Sequence, residues 1–309
     1  MAYPGDPLSE QRLPPVGGES AVVAHSSRFA LRRWIAIELK RLREAGGYEP
    51  ADAAARIDKG VGAYRHYENG ARLPSASDVE VLLNWYGKPE RVPFFRELIK
   101  AAQKGKDWWI NFTTAVPSWF ELYLGLEYGA ARISSYDTII PGLLQTREYA
   151  EALYRAGERR LTDEEIHTKV ELRMARQKIL TRDEGAPQLW SVLDECALQR
   201  MVGGPEVMQA QLNHLNKITE RPNIEIQVLP NSVGAHAGIE GTFAILDYPA
   251  EFEGDPGTVY VETRIRGIYY EDPAEVTEFR RVFERLQMQA LRPDESREAL
   301  AKIKITKEP

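Results

Sequence analysis

The sequence predicts an α+β, multidomain chain, and three observations carry that expectation. Apolar residues recur at helical spacing through most of 28–180, the period changes to that of strands after Pro187, and Gly and Pro cut both regions into short elements. The parts expected are an arm over 1–24, an all-α bundle over 25–105, a helical linker region over 106–186, and a C-terminal α/β domain with a small mixed sheet over 187–309.

Residues 1–24 are rich in Pro, Gly and Ser without apolar periodicity, the composition of a mobile arm. Ser26 or Ser27 can cap a helix over 28–43, whose Leu31, Trp34, Ile35, Leu39 and Leu42 fall at helical spacing before Gly46-Gly47 ends it. Pro50 opens a second short helix, where a missing N–H costs nothing, and Asp58-Lys59-Gly60 closes it. A third runs over 61–69 to Gly70, a fourth opens at Ser77 and closes at Gly87, and a fifth covers 89–104. Further helices are expected over 117–131, 145–155 and 162–180, with a short extended piece over 134–140.

Beyond Pro187, strands over 188–193 and 224–229 flank a helix over 205–219, a βαβ unit whose strands should be parallel. Strands over 241–247 and 258–264 and a closing helix over 273–291 complete the domain.

The 309 residues contain one cysteine, Cys196, so no internal disulfide framework exists and a reducing compartment is expected. No apolar run has the length of a membrane span, and the first residues lack the pattern of a secretory signal, which leaves a cytoplasmic location. The net charge of −6 is unevenly spread: residues 25–73 hold ten Lys/Arg against six Asp/Glu, +4, which leaves −10 on the remainder. One segment can approach a phosphate backbone that the rest would repel.

Two short helices joined by a tight turn inside a small bundle make the helix-turn-helix arrangement, whose second helix fits the major groove of double-stranded DNA. That helix is 61–69. Tyr64 and Tyr67, three apart, share an inward face with Ala54 and Ile57. Val61, Gly62, Ala63, Arg65 and His66 are then left outside, with Asn69 at the helix end. Arg65 suits guanine or phosphate, His66 either more weakly, and Lys59 and Arg72 suit phosphate. A merely solvated face is the alternative for Arg65 and His66.

The stretches Leu42-Arg43-Glu44-Ala45-Gly46, Ala54-Ala55-Arg56-Ile57 and Tyr67-Glu68-Asn69-Gly70-Ala71-Arg72-Leu73-Pro74 resemble the Xre/Cro/C1-type helix-turn-helix. Later stretches extend the likeness: Pro141-Gly142-Leu143-Leu144-Gln145-Thr146, Arg173-Met174-Ala175-Arg176-Gln177, Val192-Leu193-Asp194-Glu195, Gly203-Gly204-Pro205, Val228-Leu229-Pro230 and Gly234-Ala235-His236-Ala237-Gly238. In this order they resemble the actinobacterial WhiJ-like regulators, also described as Scr1-type and antitoxin-like. That resemblance implies a transcriptional regulator of development or secondary metabolism, with a small protein partner encoded nearby. The sequence departs from the pattern at Pro50, where Gln is usual, and at Val61-Gly62-Ala63, where Ser, Gln and Thr are favoured. Those replacements remove hydrogen-bonding side chains from the start of the reading helix.

The expected assembly is a homodimer that offers 61–69 to two half-sites about one DNA turn apart. The C-terminal domain is expected to receive a small protein partner or a ligand, with His236, Trp108 and Trp109 as candidate contacts. For the two tryptophans, packing between domains is the competing role. Asp194-Glu195 reads as a helix cap rather than a catalytic pair, because neighbours on a strand face opposite ways. His236 has no nucleophile pattern beside it, so no enzyme is expected. The five His and one Cys lack metal-ligand spacing, so neither metal nor cofactor is expected.

Overall fold

The protein is described by a computed structural model over residues 27–104, 107–112, 115–157, 160–252 and 254–303; the arm expected over 1–24 lies outside these residues. Five helices form the N-terminal bundle: α1 (Arg28–Ala45), α2 (Pro50–Arg56), α3 (Val61–Glu68), α4 (Ala76–Trp85) and α5 (Val92–Lys104). Ser27 caps α1, its Oγ accepting from the Ala30 N–H at 3.1 Å. The cap of α4 is Ser75 rather than a residue at 77, since the Ser75 Oγ accepts from the Asp78 N–H. Leu31, Trp34, Ile35 and Leu39 of α1 form one core with Ala53 and Ala54 of α2, Tyr64 and Tyr67 of α3, Leu82 and Leu83 of α4, and Phe95 and Leu98 of α5.

The second part is a six-stranded mixed sheet in the order β3-β2-β1-β4-β5-β6. Its strands are β1 (Arg132–Asp137), β2 (Gln188–Asp194), β3 (Ile224–Leu229), β4 (Phe243–Asp247), β5 (Thr258–Glu262) and β6 (Gly267–Tyr270). The first three are parallel, as the βαβ reading requires for β2 and β3, and the last three run antiparallel. The chain adds α6 (Ser118–Tyr128) before β1, α7 (Arg147–Gly157) and α8 (Asp163–Gln177) between β1 and β2, and α9 (Glu195–Gln199) and α10 (Pro205–Ile218) between β2 and β3. It ends with α11 (Pro273–Gln289) and α12 (Pro293–Lys302).

Strand alternation divides the sheet into two faces. Ile133, Leu189, Leu193, Ile226, Leu246 and Tyr260 look toward α6, α7 and α10 and toward Ile179 and Leu180 after α8. Tyr136, Val192, Leu229, Phe243, Ile245 and Val259 look toward Val276, Phe283 and Leu286 of α11.

Three differences from the sequence expectation have physical causes. The region expected as a helical linker, 106–186, supplies β1, which pairs with β2 on one side and β4 on the other near the middle of the sheet. Its sequence, Arg-Ile-Ser-Ser-Tyr-Asp, shows no apolar alternation because Ser135 and Asp137 occupy the face that Ile133 begins. Strand β6 is only four residues long and too short to show a period. Helix α12 follows the expected closing helix and is held by the Ser296 Oγ, which accepts from the Val228 N–H at 3.0 Å.

The two parts dock through α1. Arg33 donates to Asp255 at 2.8 Å, to Glu271, and to the Gly257 carbonyl at 3.2 Å. Trp34 stacks on Phe252 with ring centroids 4.6 Å apart, and the Ser27 Oγ donates to the Gly125 carbonyl of α6 at 2.9 Å.

Candidate nucleic-acid interface

The turn between α2 and α3 is made by Ile57 to Gly60. Asp58 adopts φ +52°, a left-handed conformation that Asp tolerates better than most residues, and the Lys59 N–H closes the turn onto the Ala54 carbonyl at 2.9 Å. Helix α3 then presents its tyrosines inward. Tyr64 is 0% and Tyr67 3% exposed.

Both phenol groups are hydrogen-bonded. The Tyr64 hydroxyl donates to Glu68 at 2.7 Å and lies 2.9 Å from the Tyr86 hydroxyl. The Tyr67 hydroxyl donates to Asp78 of α4 at 2.9 Å. Burial, reinforced by the Asp78 carboxylate, pushes the Tyr67 phenol up to about 12. Glu68 in turn accepts from Arg43 of α1, which also donates to the Tyr48 carbonyl at 2.7 Å. Helix α3 is therefore tied to α1 and α4 by polar bonds as well as by packing.

With its inner face anchored, α3 leaves Val61, Gly62, Arg65 and His66 exposed and Ala63 half-buried. Neither Arg65 nor His66 makes a side-chain hydrogen bond or ion pair among the described residues. Arg72 is exposed, and Lys59 lies on the surface with its Nζ 3.6 Å from Asp78, a long and weak pairing. Asn69 is exposed but already employed: its Oδ1 accepts from the Ala71 N–H at 3.0 Å and shapes the turn that Gly70 completes at φ +70°. A Cβ placed on Gly62 would meet nothing within 4 Å, so the start of α3 is open. Arg56, exposed in the last turn of α2, adds a positive charge on the neighbouring helix that the sequence reading left out.

The Glu-Asn-Gly stretch is thus structural, and Arg43 and Glu68 are its hidden parts. The sequence could have signalled them only through spacing: Glu68 follows Tyr64 by one helical turn, which places both beside α1.

The three candidate contacts of the C-terminal region do not converge. Trp109 is 3% exposed, in a cluster with Ala115, Val116, Leu124 and Leu172 against which Phe29 and Trp108 pack, so it offers no surface to a partner. His236 lies elsewhere, its ring edge-on to Tyr136 with centroids 5.6 Å apart. Its Nδ1 accepts from the Gly238 N–H at 3.2 Å, and its Nε2 is 3.8 Å from Asp194. Asp194 caps α9 by accepting from the Cys196 N–H at 2.9 Å, and burial beside that carboxylate pushes the Cys196 thiol up to about 11. Among the described residues no group of His, Cys, Asp and Glu is placed to hold a metal ion, and no helix is long and apolar enough to cross a membrane.

Comparison with known families divides the chain in the same two parts. Residues 34–92 match a family model described as a helix-turn-helix domain, and residues 120–302 match that of a domain of unknown function, DUF5753. No curated protein matches the chain, and no solved structure does.

Proposed function

We propose, from the premise that the chain belongs to the DUF5753 family and carries a helix-turn-helix domain, that it is a sequence-specific transcriptional regulator of double-stranded DNA. Helix α3 reads the major groove, Arg65 and His66 meet base edges or phosphate, and Lys59 and Arg72 hold the backbone. The observation that carries this reading is the pair Arg65 and His66, exposed and without side-chain partners among the described residues, on a helix held from behind by Tyr64 and Tyr67. A homodimer on two half-sites is the assembly this geometry suits. The WhiJ-like resemblance adds a role in development or secondary metabolism, and a C-terminal domain that receives a small protein partner or a ligand.

Genome-wide occupancy followed by gel-shift titration tests the reading. An enriched sequence bound tightly by the wild-type chain and weakly by Arg65→Ala is expected. Absence of any enriched sequence, with Arg65→Ala indistinguishable from wild type, would refute it.

A second reading rests on Val61-Gly62-Ala63, which offers no hydrogen-bonding side chain at the start of α3. In it the bundle is an antitoxin-like protein-interaction module with weakened DNA binding. Co-purification of a small partner without DNA retention would favour it.

A further inference from the structure

The sheet face that looks toward α6 and α8 encloses a cavity of about 570 Å³, a size that accommodates small organic ligands. Its lining departs from an ordinary core in three ways.

Polar groups sit where apolar ones would pack more cheaply. Ser135 and Ser191, paired on adjacent strands, donate to one oxygen of Asp137 at 2.6 and 3.3 Å. Burial pushes the Asp137 carboxyl up to about 7, from an ordinary value of 3.8. Across the cavity Arg176, also buried, donates to both oxygens of Glu127. Burying charged groups costs stability even when they are paired, relative to apolar side chains of similar volume.

Arg173 has only neutral hydrogen-bond partners among the described residues. Its guanidinium donates to the Gln145 Oε1 and to the Tyr154 hydroxyl, both at 2.7 Å, and lies 5.2 Å over the Tyr154 ring. Its path crosses Gly142, where a Cβ would come within 2.8 Å of the guanidinium nitrogen. Both hydrogen-bond acceptors are neutral, and no carboxylate pairs with Arg173 among the described residues.

The third departure is an aromatic wall. Phe120 stacks on Tyr123 at 5.3 Å, and Tyr123 lies 4.0 Å from Tyr260. All three line the cavity with Trp119.

We propose that this cavity is a binding site for a small aromatic carboxylic acid. Arg173 takes the carboxylate, the Phe120, Tyr123 and Tyr260 rings take the aromatic body, and the Ser135–Asp137 pair takes a hydroxyl or N–H of the ligand. A planar guanidinium fixed by neutral partners suits a carboxylate because two parallel N–H groups can meet both oxygens.

The site also adjoins the reading head. Helix α6 brings Trp119, Phe120, Tyr123 and Glu127 to the cavity. The same helix meets α1 so closely that a Cβ on Gly125 would lie 2.6 Å from the Ser27 Oγ and 3.0 Å from the Phe29 Cβ. A ligand that moves α6 therefore presses on the helix around which the DNA-binding bundle is built. This effect on DNA rests on the regulator reading; occupancy of the cavity does not.

Calorimetric titration of the full chain with indole-3-acetate and 4-hydroxyphenylacetate, with tryptamine as the cationic comparison, tests the proposal. At least one acid is expected to bind tighter than about 1 mM and tryptamine more weakly, with Arg173→Gln weakening the acid about tenfold, the loss of a charge-assisted pair. Leu153→Trp, which fills the cavity from α7, should abolish binding while the thermal melt stays cooperative. Arg65→Ala should bind the acid as wild type does, so that a lost DNA shift is not mistaken for a lost ligand. Failure of both acids to bind, equal binding of tryptamine, or undiminished affinity in Arg173→Gln and Leu153→Trp overturns the proposal. Acid binding without any change in the gel shift removes only the regulatory consequence.

Discussion

Arg43 of α1 grips Glu68 of α3 with two hydrogen bonds, 2.6 Å from Nε and 3.1 Å from Nη2 to the two carboxylate oxygens. Arg43 is only 6% exposed, so the pair stands largely outside water and locks the orientation of α3.

Removing Glu68 leaves the buried Arg43 guanidinium only the exposed Glu44 carboxylate, 3.3 Å away, and the Tyr48 carbonyl as partners, at a cost of up to about 3 kcal/mol. Glu68→Gln is therefore expected to destabilise the bundle by about that amount, measured by hydrogen exchange of α3 amides. The double replacement Arg43→Met with Glu68→Leu should recover most of the loss. A Glu68→Gln effect below about 1 kcal/mol would show that packing of the tyrosines alone holds the helix.

Gly62 lies in an open stretch of α3 where a methyl group meets nothing within 4 Å. Gly62→Ala should stabilise the bundle by up to about 1 kcal/mol through helix propensity, seen as a higher unfolding midpoint. An unchanged or lowered midpoint would mean that the glycine serves a contact in the free protein.

Arg65 and Arg72 should fail differently on DNA. Arg65→Ala should relax preference at one base pair and cost about 1–3 kcal/mol on the best site. Arg72→Ala should weaken all sequences alike and reduce the steepness of the salt dependence by about one unit of log–log slope. Binding-site selection at several salt concentrations distinguishes the two; identical behaviour contradicts the assigned roles.

Asp137 makes stability depend on pH in an unusual direction. Its carboxyl is raised in the folded chain to about 7 from 3.8, so between these values the folded state keeps a proton that the unfolded state has released. Stability from this group is greatest at low pH, falls as pH rises through that window, and is flat above it. Asp137→Asn should remove this component and be more favourable, relative to wild type, at pH 8 than at pH 5. Urea unfolding of both proteins at the two pH values checks this; equal differences would place the Asp137 ionisation outside the folded-state balance.

The bundle was legible because its helices are short, punctuated by glycines, and marked by large inward residues. Tyr64 and Tyr67 alone oriented α3, and the structure places both as their spacing required. Strand β1 was harder to see because the residues that line the cavity, Ser135 and Asp137, replace the apolar pattern that would have announced it. The cavity itself left no local trace, since its lining comes from positions as distant as Trp119 and Arg264. Arg173 and Arg176 stood in a recognisable stretch of sequence, yet nothing in that stretch says that one guanidinium is neutralised by Glu127 while the other is not.

Helix α1 serves two neighbours at once. One flank carries the bundle core through Leu31, Ile35 and Leu39, while Arg33, Trp34 and Ser27 are spent on Asp255, Phe252 and Gly125. The reading head is consequently not a bead on a string that can be cut loose. Excised alone, it would uncover the side of Trp34 that Phe252 stacks on and leave Arg33 without Asp255 and Glu271. Shuffling this head onto a foreign sensor would demand that the new partner rebuild the same seam.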